Sequence, residues 1–421
     1  MNTYKRYFLS NKIPLYLVPV EGAKTTTILI MVKTGSRYET RQTSGLSHFL
    51  EHMFFKGTEA RPDTLALSSE LDALGGEYNA FTSKEYTGYW IKVAEDKVAP
   101  ALDILSDMLL YSKFDAEEMA REKGVIIEEL KMYEDNPLMR IEDVFESVLY
   151  GDNPAGWDTI GTRENIQSFS RQQLIKYWRS QYGSRSIYAV LAGGVKEKDR
   201  RLAAKRLELF NINPWQARPL SIKPQTAPRI RAVWKQADQL TMSLGARTVP
   251  LGHRLELPLK LLSVVLGGAM SSRLFIRLRE RSGLAYYVRT NTETYPHSGY
   301  LTTQAGVPKE KAKEAVRIIL EEYKRLAQEA ISRDELSRAK DLIRGRLFIQ
   351  MEGSDNLATW YGRQAVTRPR LMTPGAWLKE IDRVGVKDIM AAARLAFQDK
   401  NLNLALIGQV KAESFKSYLR F

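Results

Sequence analysis

Short apolar runs, several of them with alternating polar positions, recur along the chain and predict β-strands. They cover residues 13–20 (IPLYLVPV), 25–35 (TTTILIMVKTG), 186–195 (SIYAVLAGGV), 229–235 (RIRAVWK), 240–247 (LTMSLGAR), 300–307 (YLTTQAGV) and 401–408 (NLNLALIG). Longer stretches between them repeat apolar residues at helical spacing. Because strands and helices do not alternate strictly, the pattern predicts an α+β fold with largely antiparallel sheets backed by helices.

The chain contains two stretches of sequence that recur at a nearly constant distance. Residues 189–196 (AVLAGGVK) resemble residues 404–411 (LALIGQVK), which lie 215 positions later. Residues 117–130 (EEMAREKGVIIEEL) match residues 334–347 (DELSRAKDLIRGRL) at a distance of 217 positions. Chance similarity between amphipathic helices is the alternative for the second pair alone. The agreement of the two distances favours a duplication, and therefore two homologous domains.

A proline-rich stretch separates the two halves. Residues 211–228 (NINPWQARPLSIKPQTAP) carry four prolines and few residues that build a core, as linkers do. We predict an N-terminal domain at 1–213, a linker at 214–228 and a C-terminal domain at 229–421.

Composition excludes several classes of protein and of metal site. The chain is 44% hydrophobic and 27% charged, as globular proteins are, and it has no cysteine. Any metal must therefore be held by His, Asp or Glu. No apolar run approaches the length of a membrane span, and the N-terminal stretch lacks an apolar signal core. We expect no membrane association and a cytoplasmic location.

The net charge of +14 raises the alternative of a basic nucleic-acid-binding protein. Its cations are scattered among acids, as in residues 332–346 (SRDELSRAKDLIRGR), which is typical of a solvated helix surface. Nucleic-acid binding is therefore the less favoured alternative, and a strongly salt-dependent affinity for DNA or RNA would support it.

Residues 45–58 (GLSHFLEHMFFKGT) predict a helix that packs one face on the core, with Ser44 as its N-cap and Gly57 as its stop. The apolar face consists of Leu46, Phe49, Leu50, Met53 and Phe54. Two of the chain's four histidines, His48 and His52, lie off that face together with Glu51.

Residues four apart are neighbours on a helix, so His48 and His52 can bind one metal ion, while Glu51 beside them can accept a proton from water. Two solvated surface histidines are the alternative. In a chain with so few histidines, a chance H-x-x-E-H is expected in roughly one sequence of several hundred. The spacing therefore favours zinc.

A catalytic zinc site usually has three protein ligands, so a third must come from elsewhere in the chain. Residues 115–135 (DAEEMAREKGVIIEELKMYED) predict a second amphipathic helix, whose inward face also carries Glu122 and Glu129. A carboxylate on a buried face needs a partner, which a cation supplies. Most helix glutamates are solvated, so this stretch alone decides nothing.

Taken together, these residues resemble the pitrilysin-type zinc peptidases, or inverzincins, and in particular the branch of the mitochondrial processing peptidase and its bacterial relatives. The resemblance covers essentially the whole chain. Besides the H-x-x-E-H stretch it includes residues 75–90 (GGEYNAFTSKEYTGYW), 122–137 (EKGVIIEELKMYEDNP) and 266–287 (LGGAMSSRLFIRLRERSGLAYY).

The resemblance implies one zinc ion per chain, held by His48, His52 and Glu129, which lies 77 positions after His52. It implies that Glu51 is the general base and that Glu122 supports the site without ligating the ion.

The resemblance also implies contacts with substrate. Asn79 and Ala80 match the centre of an edge strand that pairs with the substrate backbone, although an ordinary hairpin strand has the same sequence pattern. Arg279 and Tyr286 match a pair that binds substrate and stabilises the tetrahedral intermediate. Without the resemblance, Arg279 is one more charge at a basic helix end and Tyr286 a core aromatic.

The second half has no H-x-x-E-H, and Arg346 stands at the repeat position of Glu129, so we expect one active site per chain. The resemblance implies a zinc-dependent endopeptidase that hydrolyses peptides or unfolded polypeptide segments inside a dimeric chamber. A homodimer is favoured, because the chain carries both the zinc residues and the Arg/Tyr pair. The alternatives are a heterodimer with a degenerate paralogue and a non-catalytic scaffold subunit.

Overall fold

The computed structural model describes residues 3–212, 215 and 221–421. The strands in this part of the chain are β1 Lys5–Phe8, β2 Pro14–Pro19, β3 Thr25–Val32, β4 Glu77–Thr82, β5 Thr87–Ala94, β6 Ile187–Gly193, β7 Arg229–Val233, β8 Leu240–Thr248, β9 Tyr287–Tyr295, β10 Ser298–Val307 and β11 Leu402–Ile407. The helices are α1 Leu46–Met53, α2 Thr64–Ala73, α3 Val98–Tyr111, α4 Ala116–Asp135, α5 Pro137–Tyr150, α6 Arg163–Ser168, α7 Arg171–Gln181, α8 Glu197–Leu207, α9 Glu256–Gly267, α10 Ala312–Gln328, α11 Arg333–Gln350, α12 Ser354–Thr367, α13 Pro374–Arg383 and α14 Val386–Ala396. Each of the seven predicted strand runs contains a strand.

The chain folds into two compact units, each discontinuous in sequence. Unit 1 comprises Met1–Lys131, Asp158–Pro219 and Leu347–Ala376, and unit 2 comprises Met132–Trp157, Leu220–Arg346 and Trp377–Phe421. Each unit therefore includes a helical segment from the other half of the chain. The contiguous division into 1–213, 214–228 and 229–421 stays a prediction about the sequence repeat. Its boundary residues 213, 214 and 216–220 lie outside the described residues.

The sheets of the two units share one strand order. Unit 1 has the order β1-β2-β6-β3-β5-β4, and unit 2 has the order β7-β11-β8-β10-β9. In each sheet one pair is parallel, β2 with β6 and β7 with β11, and the other neighbouring pairs are antiparallel. Apart from β1, every strand of unit 1 has a counterpart at the same place in unit 2. This confirms the predicted α+β fold with two homologous domains.

Each sheet is covered by a helix that comes from the other half of the chain. In unit 1, α12 packs on β3 and β6, and its Leu357 and Tyr361 are buried against Leu29 and Met31. A Cβ atom at Gly362 would lie 2.8 Å from Leu29 Cδ2, so the glycine allows this close approach. In unit 2, α5 packs on β8 and β11, the counterparts of β3 and β6. The central strands of both sheets are buried along most of their length.

Among the helices that the structure describes, none combines the length and the hydrophobicity that a membrane span requires.

Candidate metal centre

Helix α1 carries the H-x-x-E-H sequence, and its predicted apolar face is buried as expected. The predicted N-cap at Ser44 is wrong. Gly45 is the N-cap, with a left-handed φ of +98°, and it has no side chain to bond the helix. A Cβ atom at this position would lie 2.3 Å from the carbonyl oxygen of Ile160, so the close packing requires glycine. Gly57 lies in the turns that follow α1, with φ of +107°.

Glu39 supplies the cap that the helix itself lacks. Its two carboxylate oxygens accept hydrogen bonds from the backbone N–H of Gly45 at 2.8 Å and of Ser47 at 2.6 Å. The side chain is 1% exposed, and burial raises the pKa of Glu39 to about 8 against the opposing effect of these donors. The sequence does not reveal Glu39 as a cap, because a cap signal is read immediately before a helix and this contact spans a loop.

We expect Glu39→Gln to lower the free energy of unfolding by about 1–3 kcal/mol. The amide places a donor where the helix offers only N–H donors, so one buried polar group loses its partner. Urea denaturation measures the change. Glu59 is exposed and lies just beyond the same helix, so Glu59→Gln is the matched control and should change stability by less than about 0.5 kcal/mol. Equal stabilities of the two variants would show that the cap contributes nothing.

The structure brings His48, His52 and Glu129 together. Oε2 of Glu129 lies 3.7 Å from Nε2 of His48 and 3.4 Å from Nε2 of His52. One donor atom from each of the three residues lies within 4.8 Å of the others. Two ligands of one zinc ion, each about 2 Å from it, are separated by less than about 4 Å, so these distances suit a shared ion.

The neighbouring Glu128 is excluded from this cluster by its direction on α4. Its side chain is exposed and pairs with Lys131 at 2.6 Å. The structure therefore places Glu129, which the resemblance selected over Glu128, in the cluster and leaves Glu128 outside it. In the described ranges, no other group of three His, Cys, Asp or Glu side chains has this geometry.

The protonation states of His48 and Glu129 also fit a divalent metal. Burial, together with the neighbouring His52, lowers the pKa of His48 to about 4. A neutral imidazole is the form that binds metal. Nδ1 of His48 is buried without a hydrogen-bond partner among the described residues. The hydrogen bond from His52 lowers the pKa of Glu129, which keeps this carboxylate ionised. Two imidazoles and one carboxylate are a known donor set of catalytic zinc.

Glu122 lies behind His52, where it orients the imidazole. Its Oε1 is 2.8 Å from Nδ1 of His52, and its Oε2 is 2.7 Å from Nζ of Lys56. Burial acts to lower the pKa of His52, but the hydrogen bonds to Glu122 and Glu129 raise it to about 9. A carboxylate on the far nitrogen fixes the ring so that Nε2 faces the metal position. Nothing in the sequence links Lys56 to Glu122, because the two are 66 positions apart in the chain.

We expect Glu122→Gln to weaken zinc binding about 10- to 100-fold, since the ring orientation and the basicity of His52 depend on the carboxylate. Competition with a chromophoric chelator measures the affinity. Glu118 lies one turn earlier on the same helix and pairs with Arg121, so Glu118→Gln is the control and should bind zinc as the wild type does. If both variants bind equally well, Glu122 has no role in the site.

Glu51 lies beside the three potential ligands and has one anchor. Its Oε2 accepts a hydrogen bond from Oγ1 of Thr82, the last residue of β4. Burial raises the pKa of Glu51 to about 7, against opposing effects of Thr82 and His52. A carboxylate with a pKa in this range can both accept and return a proton near neutral pH.

Strand β4 carries Asn79 and Ala80 at the edge of the unit 1 sheet, because within the described part of the chain it pairs with β5 alone. Asn79 is exposed. Its Oδ1 accepts a hydrogen bond from the backbone N–H of Ala80 at 2.8 Å. The position agrees with the predicted edge strand, and the side chain of Asn79 occupies a main-chain donor that a paired strand would use.

Arg279 and Tyr286 lie together in unit 2. The guanidinium carbon of Arg279 is 5.9 Å from the ring centroid of Tyr286 and 5.0 Å from that of Phe275. Tyr286 is 75% exposed, so the interpretation as a core aromatic is wrong. Arg279 is also exposed and forms no ion pair with any described residue. It belongs to a π-helical turn, Phe275–Arg281, a rare form that is frequent at functional sites.

The residue at the repeat position of Glu129 makes a structural contact in the second half. Arg346 on α11 donates a hydrogen bond at 2.9 Å to the carbonyl oxygen of Gly268, the C-cap of α9. In the repeat, α11 corresponds to α4 and α9 to α1. A cation bound to a helix carbonyl thus stands where unit 1 has a carboxylate facing two imidazoles.

The sequence matches known proteins along almost its whole length. Residues 17–163 match the family model described as insulinase (peptidase family M16), and residues 168–343 match the model described as the peptidase M16 inactive domain. A protein of Bacillus subtilis, named as the uncharacterized zinc protease YmxG, is 33% identical over 403 residues, which cover 96% of this chain and 98% of that protein. A protein of Streptomyces coelicolor, also named as an uncharacterized zinc protease, is 29% identical over 98% of this chain and 91% of its own length.

Two solved structures have the same fold. A protease from Helicobacter pylori superposes with a TM-score of 0.92 at 22% identity, over 97% of this chain and 100% of that one. A peptidase M16 inactive domain from Pseudomonas fluorescens superposes with a TM-score of 0.90 at 17% identity, over 97% of this chain and 98% of that one.

Proposed function

Because the chain belongs to the insulinase-type peptidase family M16, we propose that it is a zinc-dependent endopeptidase that hydrolyses peptides or unfolded polypeptide segments. The observation that carries this proposal is the cluster of His48, His52 and Glu129 with Glu51 beside it. The relatives named as zinc proteases support zinc as the metal.

In the proposed mechanism, His48, His52 and Glu129 hold one zinc ion per chain. When bound, the ion would polarise the scissile carbonyl and lower the pKa of a bound water molecule. Glu51 accepts the proton of the attacking water on its carboxylate and delivers it to the nitrogen of the leaving amine. Glu122, backed by Lys56, keeps the ring of His52 in the orientation that binding requires.

We propose that the substrate backbone pairs with the β4 edge around Asn79 and Ala80. Main-chain pairing suits broad specificity, because it does not depend on the substrate's side chains. An extended peptide can replace the contact between Asn79 and the Ala80 N–H. The exposed cation of Arg279 and the phenol O–H of Tyr286 are proposed to bind substrate and to stabilise the tetrahedral intermediate, a role that such donors perform well.

The proposed working form is a homodimer that encloses a chamber. The chain carries both the potential zinc ligands and the Arg279/Tyr286 pair, so a second copy supplies a full set of groups. A heterodimer with a degenerate paralogue is the alternative assembly.

Metal analysis, light scattering and cleavage of a library of unstructured peptides, all on the purified full chain, test this proposal together. We expect about one zinc per chain, twice the mass of a single chain, and hydrolysis that a chelator abolishes and added zinc restores. A chain that binds zinc but hydrolyses no peptide, either by itself or when mixed with a paralogue, would indicate a scaffold subunit. A protein that binds no metal, or that binds nucleic acid with a strongly salt-dependent affinity instead, would contradict the proposal.

A further inference from the structure

The hydrogen bond between Thr82 and Glu51 joins the edge strand to the proposed general base. We propose that Thr82 is a positioning residue that holds the Glu51 carboxylate at a fixed place relative to the β4 edge. It thereby aligns a peptide paired with that edge for proton transfer. This inference rests on the proposed peptidase function and deepens it.

Thr82 provides the only hydrogen bond that the Glu51 carboxylate receives from the described residues, and no Lys or Arg there forms an ion pair with it. A glutamate side chain has several rotatable bonds, so without an anchor it samples many rotamers. The hydroxyl binds one oxygen, Oε2. The other oxygen, Oε1, stays available for the proton of the attacking water.

Thr82 is itself held firmly in place. It pairs with Thr87 across the β4–β5 ladder. The turn that follows is closed by a hydrogen bond of 2.9 Å from the N–H of Ser83 to the carbonyl of Tyr86. The Ser83 carbonyl accepts a hydrogen bond of 3.1 Å from the N–H of Ser36, which connects the turn to a neighbouring loop.

That loop, the clamp segment 35–39, also holds the helix that carries Glu51. Arg37 forms a buried ion pair with Glu85 in the β4–β5 turn, at 2.7 Å between Nε and Oε2. Two residues later, Glu39 caps the N-terminus of α1. A Cβ atom at Gly35 would lie 2.2 Å from the Ser83 carbonyl oxygen, so the clamp segment needs a glycine there.

The clamp segment therefore fixes both partners of the Thr82–Glu51 contact, the end of β4 and the start of α1. Their relative position is set within unit 1 by backbone hydrogen bonds and a buried ion pair. Preorganisation of this kind matters because displacement of a catalytic group by about 1 Å can cost about 100-fold in rate.

The test compares Thr82→Val and Thr82→Ser with Thr87→Val. Valine keeps the shape of threonine and removes the hydroxyl, so we expect kcat to fall about 10- to 100-fold while KM and zinc content stay at the wild-type values. Serine restores the hydroxyl and should recover most of kcat. Thr82→Ala is a second variant without the hydroxyl, in case valine prevents folding.

Thr87→Val is the matched control, since it makes the same change in the cross-strand neighbour. The hydroxyl of Thr87 donates to the carbonyl of Thr34 at 3.0 Å, and among the described residues no hydrogen bond joins it to Glu51. We expect this variant to have a lower Tm and an unchanged kcat. A kcat of Thr82→Val and Thr82→Ala equal to the wild type, or a kcat of Thr82→Ser as low as theirs, would overturn the inference and leave the proposed peptidase function intact.

Crystal structures of the zinc-loaded wild type and Thr82→Val provide a readout that does not depend on activity. We expect one conformation of the Glu51 side chain in the wild type and several in the variant. A single conformation shared by both would overturn the inference. A wild type that hydrolyses no peptide would contradict the proposed function instead, and the crystal structures would still decide whether Thr82 positions Glu51.

Discussion

Glu51→Gln is expected to retain zinc and to lose hydrolysis, with kcat lower by about 100- to 10,000-fold. Glutamine has the shape of glutamate and can still accept the hydrogen bond from Thr82 through its carbonyl oxygen. It cannot take a proton from water near neutral pH. Because Glu51 lies outside the His48, His52 and Glu129 cluster, the number of zinc ions per chain should stay the same.

Steady-state cleavage of one defined peptide and metal analysis of the same preparation measure both parts of this result. Glu59→Gln makes the same change at an exposed position and should leave both quantities unchanged. Loss of zinc from Glu51→Gln would mean that Glu51 is a ligand. A kcat near the wild-type value would place the general base elsewhere.

Glu129→Gln is expected to weaken zinc binding by more than about 100-fold, and activity should disappear with the metal. The substitution removes the one anionic donor of the cluster, and loss of a ligand costs more than the 10- to 100-fold effect typical of its supporting partners. A ligand present at 100 times its Kd stabilises the folded state by about 2.7 kcal/mol. The increase in Tm on addition of zinc should therefore vanish in the variant.

The neighbouring glutamate provides a close control. Glu128 is exposed, pairs with Lys131 and points away from the cluster, so Glu128→Gln should bind zinc and cleave peptides as the wild type does. The pair of variants tests the choice of Glu129 over Glu128 directly. Loss of zinc from Glu128→Gln with retention in Glu129→Gln would reverse that assignment.

Several features of the site could be predicted because their signals are local. His48 and His52 are one helical turn apart, so the sequence alone places them on one face of α1, whatever the rest of the fold does. The apolar face of that helix and the strand runs follow from periodicity in the same way. Glu129 could not be predicted in this way, because no local sequence pattern distinguishes a metal-binding glutamate on a helix from a solvated one. Only the resemblance selected it.

The N-cap of α1 shows where local inference fails. Ser44 has the residue type and the place of a cap, but the close packing of Gly45 against Ile160 sets the backbone there. Glu39, which lies across a loop, then accepts hydrogen bonds from the backbone N–H groups at the start of the helix. Similarly, nothing near Tyr286 in the sequence indicates that its ring is exposed beside Arg279.

The sequence by itself determined the strand runs, the duplication, the two-histidine helix and the absence of thiolate ligands, since each depends on residue types or on spacings within one element or one repeat. Only the tertiary structure decided the exchange of α5 and α12 between the units, the support of His52 by Glu122 and Lys56, and the contact of Thr82 with Glu51. The residues that form these side-chain contacts are 31 to 70 positions apart in the chain. Residues so distant become neighbours only when burial of the apolar faces brings their helices and strands together, and periodicity within one element carries no record of that packing.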